Sequence, residues 1–210
     1  MKSLLLKDWY VTWKYCKLHL GVILLMSLLS LFRDVGMMYL TYVMLFAGML
    51  PTYTLSVDEK WEWNRYAQAL PYDRRDIVTG KYIYAALVLG GTGLLLLVLW
   101  GGRALIGGED LGAILSSLCV LLSFALIFPT TTLPFMYRFG VEKGRFITLT
   151  LVALLVGVVM ATEVVELDGV STGTFAAASG IAAPLVLLGM LALFFLSWLL
   201  AVKLYAKREL

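Results

Sequence analysis

Few residues in this chain are equipped for chemistry, and their spacing argues against most of it. A phosphate-cradling loop needs G-x-x-x-x-G-K-[ST], because its glycines let backbone N–H groups surround the phosphates. The one Gly-Lys pair is Gly80-Lys81; Arg75 stands where the first glycine belongs, and Tyr82 follows the lysine. No ATP site is expected here. A metal centre needs clustered Cys, His or carboxylate ligands, and the single histidine, His19, has no such neighbours. Cys16 lies in a basic amphipathic stretch and Cys119 inside an apolar run, so no disulfide is expected between them. With no H-E-x-x-H motif and no carboxylate pair at mid-span, the chain reads as a non-enzyme without cofactor or metal of its own.

Those sparse groups must be positioned by a membrane. The 210 residues are 61% hydrophobic and 15% charged, against roughly 25% charged in soluble domains. Apolar stretches run over 18–32, 37–57, 82–99, 111–137, 146–162 and 181–202. With about 20 apolar residues needed per spanning helix, they predict an all-α integral membrane protein of six transmembrane helices. Too little remains outside them for a soluble domain of the usual ~50 residues, so residues 1–210 form one transmembrane domain. Any soluble machinery must come from a partner.

Charge order sets the topology. With both termini cytoplasmic, 15 of the 17 Lys and Arg residues fall on the cytoplasmic side, and only Arg33 and Arg103 outside. The two sides carry +7 and −4, the asymmetry that the positive-inside rule describes. Residues 1–17 read as an interfacial helix continuing into the first span, with Leu4, Leu5, Trp9, Val11 and Trp13 among Lys2, Lys7, Lys14 and Lys17. Basic residues interleaved with tryptophan suit a helix at the headgroups. No small-residue cleavage site follows the first apolar stretch, so this segment is expected to be retained. Outer connections are expected at 33–36, 101–110 and 163–180. The last begins with an acidic group, Glu163, Glu166 and Asp168, readable as solvated charge or as a patch at an exit. Its small-residue part, 171–180, suggests a partly re-entrant helix.

The cytoplasmic connection 58–81 (DEKWEWNRYAQALPYDRRDIVTGK) holds ten charged residues together with Trp61, Trp63, Tyr66 and Tyr72. Asp58 and Glu59 suit a helix N-terminus, where acidic side chains complement the dipole. The helix should run to about Leu70, where Pro71 stops it. Asp73 then has the place of an N-cap, with Asp76 three residues on. The stretch reads either as a solvated surface helix or as the largest cytoplasmic surface open to a partner, since aromatics beside arginines serve as interface anchors. In the fourth span, Pro129-Thr130-Thr131-Thr132-Leu133-Pro134 predicts a kink whose freed carbonyls are met by threonine hydroxyls. Thr130, Thr131 and Thr132 are also candidates for lining a translocation path. Gly90, Gly91 and Gly93 suit close helix packing.

The acidic pair Asp58-Glu59, Trp61, Arg65-Tyr66, Leu70-Pro71, the run 74–78 and Lys81-Tyr82 resemble the loop after the second span of ABC-2 type transporter permeases. More narrowly, they resemble small six-span bacterial permeases, among them those of exporters for phenol-soluble modulins and those linked to peptide-antibiotic resistance. The resemblance implies the permease subunit of a bacterial ABC exporter in the cell membrane, multi-pass, with N- and C-termini inside. Two copies would pair, each with a separate ATPase subunit that binds ATP and Mg. It implies peptide cargo of amphipathic or antimicrobial kind, and no nucleic acid. Carried onto this chain, the ATPase-coupling contacts would be Asp58, Glu59, Trp61, Arg65, Leu70, Pro71, Arg74 and Arg75. The alternative from the residues is a non-transporting scaffold or sensor that recruits a cytoplasmic partner.

Overall fold

The structure, a computed structural model, describes residues 2–31, 36–63, 73–107, 110–167 and 182–206. These form helices α1 (Lys2–Tyr15), α2 (Lys17–Leu29), α3 (Gly36–Lys60), α4 (Arg74–Gly107), α5 (Leu111–Phe139), α6 (Val141–Leu167) and α7 (Ala182–Ala206), with no strand among the described residues. Four of them, α3, α4, α5 and α7, are long and apolar enough to cross a membrane. The 13 residues of α2 span about 20 Å at 1.5 Å per residue, short of a ~30 Å hydrocarbon core.

Several boundaries differ from the sequence expectations. The N-terminal helix does not run on into the first span: it stops at Tyr15, and Cys16, at φ −108° and ψ 19°, breaks the helix before α2 starts. Asp58 and Glu59 do not open a helix; they lie in the last turn of α3, which ends at Lys60 before a turn at Trp61 and Glu62. Glu62 takes a left-handed φ of 50° there, a conformation incompatible with continuing the helix. The expected outer connection at 101–110 is largely helical, because α4 continues to Gly107. Glu163 and Glu166 likewise fall within α6 rather than on a loop. The expected re-entrant segment 171–180 lies outside the described residues.

Other boundaries follow from the local sequence. α4 starts immediately after Asp73, whose carbonyl accepts from the backbone N–H groups of Asp76 and Ile77. The Asp110 carboxylate caps α5 by accepting from Gly112 N at 2.9 Å. Gly140, at φ 85°, closes α5 by donating to the Met136 carbonyl, and this left-handed position favours glycine. α6 begins at the next residue, and a Cβ at Gly144 would sit 2.4 Å from Met136 Cγ, so the tight α5–α6 corner needs both glycines.

The centre of the bundle is α3 with α5: α1, α2 and α4 pack on α3, while α4, α6 and α7 pack on α5. One apolar cluster joins α2, α3, α4 and α5 around Val43, Met44, Ala47, Leu89, Leu96 and Ala125. A second joins the ends of α3, α4, α5 and α7 around Leu55, Val78, Leu133, Tyr137 and Tyr205. α3 and α5 approach closely at Gly48, where a Cβ would meet the Ala125 carbonyl oxygen at 2.7 Å. That carbonyl is the one whose helical donor is lost at Pro129 four residues later.

Candidate functional site at the basic end of the bundle

The packing brings the end of α3, the start of α4, the end of α5, the start of α6 and the end of α7 to one end of the bundle, and α1 lies there too. The helical repeat decides which polar groups turn inward. Along α3, Leu40, Val43, Ala47, Leu50 and Thr54 are buried at steps of three and four residues, one helical face, and Asp58 is the next position on it. Along α1 the buried positions are Leu4, Asp8 and Thr12, spaced by four. Along α4 they include Ile77, Val78, Lys81 and Tyr82. Three charged residues therefore occupy apolar stripes, and the packing of α1 on α3 and α4 makes the stripes converge.

Asp8, Asp58 and Lys81 are 2%, 4% and 3% exposed. Lys81 Nζ lies 2.7 Å from Asp8 Oδ1 and 2.7 Å from Asp58 Oδ2. Lys7 Nζ lies 2.7 Å from Asp58 Oδ1, 2.8 Å from Asp58 Oδ2 and 3.2 Å from Asp8 Oδ1. Two ammonium groups and two carboxylates thus cancel within one cluster. Unpaired burial of any member would cost several kcal/mol, on the order of the desolvation penalty of one ion. Burial pushes the Lys7 ammonium below its ordinary lysine range, helped by the like charge of Lys81, while Asp8 and Asp58 pull it upward. Lys7 also sits over the Trp63 ring, 4.3 Å from its centroid. Its side chain, 20% exposed, is the most accessible of the four.

Further bonds fasten the same helices. Thr12 donates its hydroxyl proton to the Asp8 carbonyl, which leaves Tyr84 on α4 to donate to Thr12 Oγ1. A Cβ at Gly80 would sit 3.6 Å from Leu4 Cβ, so the Gly80-Lys81 pair is a contact point for α1. Glu59 turns the other way from Asp58 and accepts from Val141 N at 2.6 Å through Oε2. An anion there complements the dipole of α6 at its first residue.

The proposed coupling residues therefore separate into groups. Asp58 and Glu59 point into the protein, at the cluster and at α6. Trp61 is 65% exposed, and Arg74 and Arg75 are exposed at the start of α4. Arg75 lies over Trp198 of α7, 5.4 Å from the ring centroid, and Trp198 Nε1 donates to Thr79 Oγ1 at 3.1 Å. Arg65, Leu70 and Pro71 lie outside the described residues, as does Asp168. Glu163 and Glu166 are helical, as described above. Sequence reasoning did not single out Asp8, took Lys7 only as one of the headgroup lysines, and used Lys81 only in the Gly80-Lys81 and Lys81-Tyr82 pairs. The available signal was an acidic residue on the buried stripe of α1 and of α3 and a lysine on that of α4, a set one positive charge short of neutral that Lys7 completes.

The threonine triplet divides in the same manner. Thr132 is fully buried and packs against α3: its hydroxyl donates to the Phe128 carbonyl at 2.6 Å, so Thr52 donates to Thr132 at 2.9 Å. Thr131 donates to the Ile127 carbonyl of its own helix. The Thr130 carbonyl, freed by Pro134 four residues on, accepts from Ser197 Oγ of α7 at 2.6 Å. Ser197 in turn accepts from the Tyr82 hydroxyl at 2.8 Å. The proline-containing segment thus exports a main-chain acceptor to a neighbouring helix rather than satisfying it with threonine.

His19 lies edge-on to Phe46 and tilted against Tyr53, and Cys16 and Cys119 are free thiols. Gly169-Val170-Ser171-Thr172-Gly173 has the G-x-S-x-G spacing of a nucleophile elbow. That motif requires a strand-to-helix turn, and this stretch lies outside the described residues.

Long apolar helices with their charges gathered at the ends define a multi-pass membrane protein. A family model described as ABC-2 family transporter protein matches residues 3–206, and the chain belongs to that family. It is accordingly a membrane permease of an ABC transporter, a transport subunit rather than a catalytic one. Comparison with curated proteins and with solved structures gives no significant match.

Proposed function

We propose that this chain is the permease of a bacterial ABC exporter in which two copies form the translocation path and separate ATPase subunits, carrying ATP and Mg, drive it. The basic end is cytoplasmic in this reading, with α3, α4, α5 and α7 crossing the membrane, α6 and the shorter α2 completing six spans, and α1 at the headgroups. The cargo is a peptide of amphipathic or antimicrobial kind. Peptide cargo rests on the resemblance of residues 58–82 to exporter permeases. Charge order supports the orientation, and the 60%, 65% and 61% exposure of Trp9, Tyr10 and Trp13 supports an interfacial α1. A Cβ at Gly90 or Gly91 of α4 would meet no side chain or neighbouring helix within 4 Å, which leaves room for a helix of a second copy. Gly93, by contrast, faces Leu122 of α5.

The observation that carries the reading is the anchoring of the α3–α4 connection. Both its ends, Asp58 and Lys81, are bonded to each other and to α1, so force applied to the exposed Trp61, Arg74 and Arg75 reaches three helices together. The proline- and threonine-containing segment 129–134, held to α3 by Thr52 and to α7 by Ser197, is the part of the path that adapts. Co-purification in mild detergent tests the assembly: an ATPase subunit should accompany the chain, and its absence would sink the proposal. Replacing Arg74 and Arg75 by glutamate should uncouple ATP hydrolysis from transport across a vesicle wall. A scaffold would move no cargo in that assay with either sequence.

A further inference from the structure

Lys7 differs from the other three members of the cluster. Asp8, Asp58 and Lys81 are buried and fixed by two bonds of 2.7 Å through Lys81. Lys7 reaches both carboxylates from the open side and lies against Trp63, beyond the turn that ends α3. With Lys7 in place the cluster is neutral. With Lys7 drawn away, one lysine faces two buried carboxylates, and a net negative charge remains where water is scarce. Such a site is costly until a carboxylate reaches solvent, and Asp8 can do so only if α1 moves off α3 and α4.

We infer that Lys7, Asp8, Asp58 and Lys81 form a charge-balanced latch that holds α1 to the ends of α3 and α4, with Lys7 as the releasable member linked to the connection through Trp63. Movement of the connection shifts Trp63, withdraws Lys7 and loosens α1, so the interfacial helix changes position in step with the two spans. Lys7 is a positioning residue in this scheme: it touches no cargo and acts through Asp8 and Asp58. The latch itself follows from the geometry. Its place in the transport cycle rests on the proposed pairing with an ATPase.

Charge arithmetic provides the test. In the full-length protein in detergent micelles, amide hydrogen exchange is followed over α1 and, as internal reference, over α5. Lys7→Gln leaves the cluster at −1 and should speed exchange over residues 5–13 by about tenfold or more, with α5 unchanged. Adding Asp8→Asn restores neutrality and should return exchange to within about threefold of the unaltered protein, although a second polar contact has been removed. Lys7→Arg keeps the charge and should resemble the parent. A double variant looser than Lys7→Gln alone would overturn the latch, since ordinary loss of contacts accumulates. So would equal exchange in the single variant and the parent. Reconstituted with the ATPase subunit and given a labelled cationic amphipathic peptide, the double variant should still move about threefold less peptide per ATP, because the link to Trp63 is gone. Full recovery of that ratio would refute Lys7 as the link. If no ATPase pairs with the unaltered chain, the proposed function falls while the exchange measurements still decide the latch.

Discussion

The two ends of the bundle solve the same problem with different chemistry. At the basic end, full charges are buried: Asp8, Asp58 and Lys81 are almost inaccessible and neutralise one another with Lys7. At the opposite end, α4 is joined to the segment after α2 by weaker means. Trp100 Nε1 donates to Ser30 Oγ at 3.1 Å, and Arg103 Nη1 donates to the Leu31 carbonyl at 3.0 Å while its guanidinium lies over Trp100. There a cation meets main-chain dipoles at a helix C-terminus, which is worth a fraction of a kcal/mol to about 1 kcal/mol at partly open sites. A buried ion cluster is less forgiving. Its formation adds little net stability, yet removing one member leaves a charge with no solvent and no partner. The basic end is therefore built to be all-or-none, and the opposite end to tolerate change.

That contrast can be broken by substitution, beginning with the most severe. Lys81→Met leaves Asp8 and Asp58 facing only Lys7 and should lower stability by about 3–5 kcal/mol, read as a shift of the denaturant midpoint in micelles. If its effect matched that of Arg103→Gln, the distinction between the ends would be lost. Ser197→Ala removes the donor to the Thr130 carbonyl and the acceptor of Tyr82, and should cost about 1–3 kcal/mol. Ser197→Thr keeps the hydroxyl and is the control for it. Glu59→Gln keeps an acceptor for Val141 N but removes the anion from the first turn of α6, a loss of about 0.3–1 kcal/mol measurable by thermal unfolding. Arg103→Gln should be mildest, at about 1 kcal/mol or less, with its effect shrinking further in added salt.

Much of the architecture was legible because membrane helices announce themselves. The stretch 111–137 anticipated α5 within two residues at its C-terminal end, since a long apolar run in lipid can satisfy its backbone only as a helix. Asp73 correctly marked the start of α4. The errors lie where polar residues were read by local rules. Asp58 and Glu59 are good N-terminal residues in isolation, yet the helical face running from Leu40 to Thr54 carries α3 onward through them. Local preference yielded to packing. The sequence places an outer connection at 101–110, but α4 continues through Gly101 and Gly102 to Gly107, close to where Arg103 is held by Leu31. In the threonine triplet, sequence correctly identified freed carbonyls but assigned them to the nearest hydroxyls. The donor to the Thr130 carbonyl is Ser197, 67 residues away.

Composition was sufficient to establish a helical membrane protein and its long apolar stretches. Those properties follow from solvent: lipid accepts few charges, and each helix registers that preference independently of its neighbours. The identity of charges that meet is a different kind of fact. Lys7 and Asp58 are 51 positions apart and Asp8 and Lys81 are 73, and no local pattern ties them. They come together because α1 packs on α3 and α4 at one end of the bundle, aligning three stripes that would each be unfavourable alone. Packing turned three misplaced charges and one half-buried lysine into a neutral cluster.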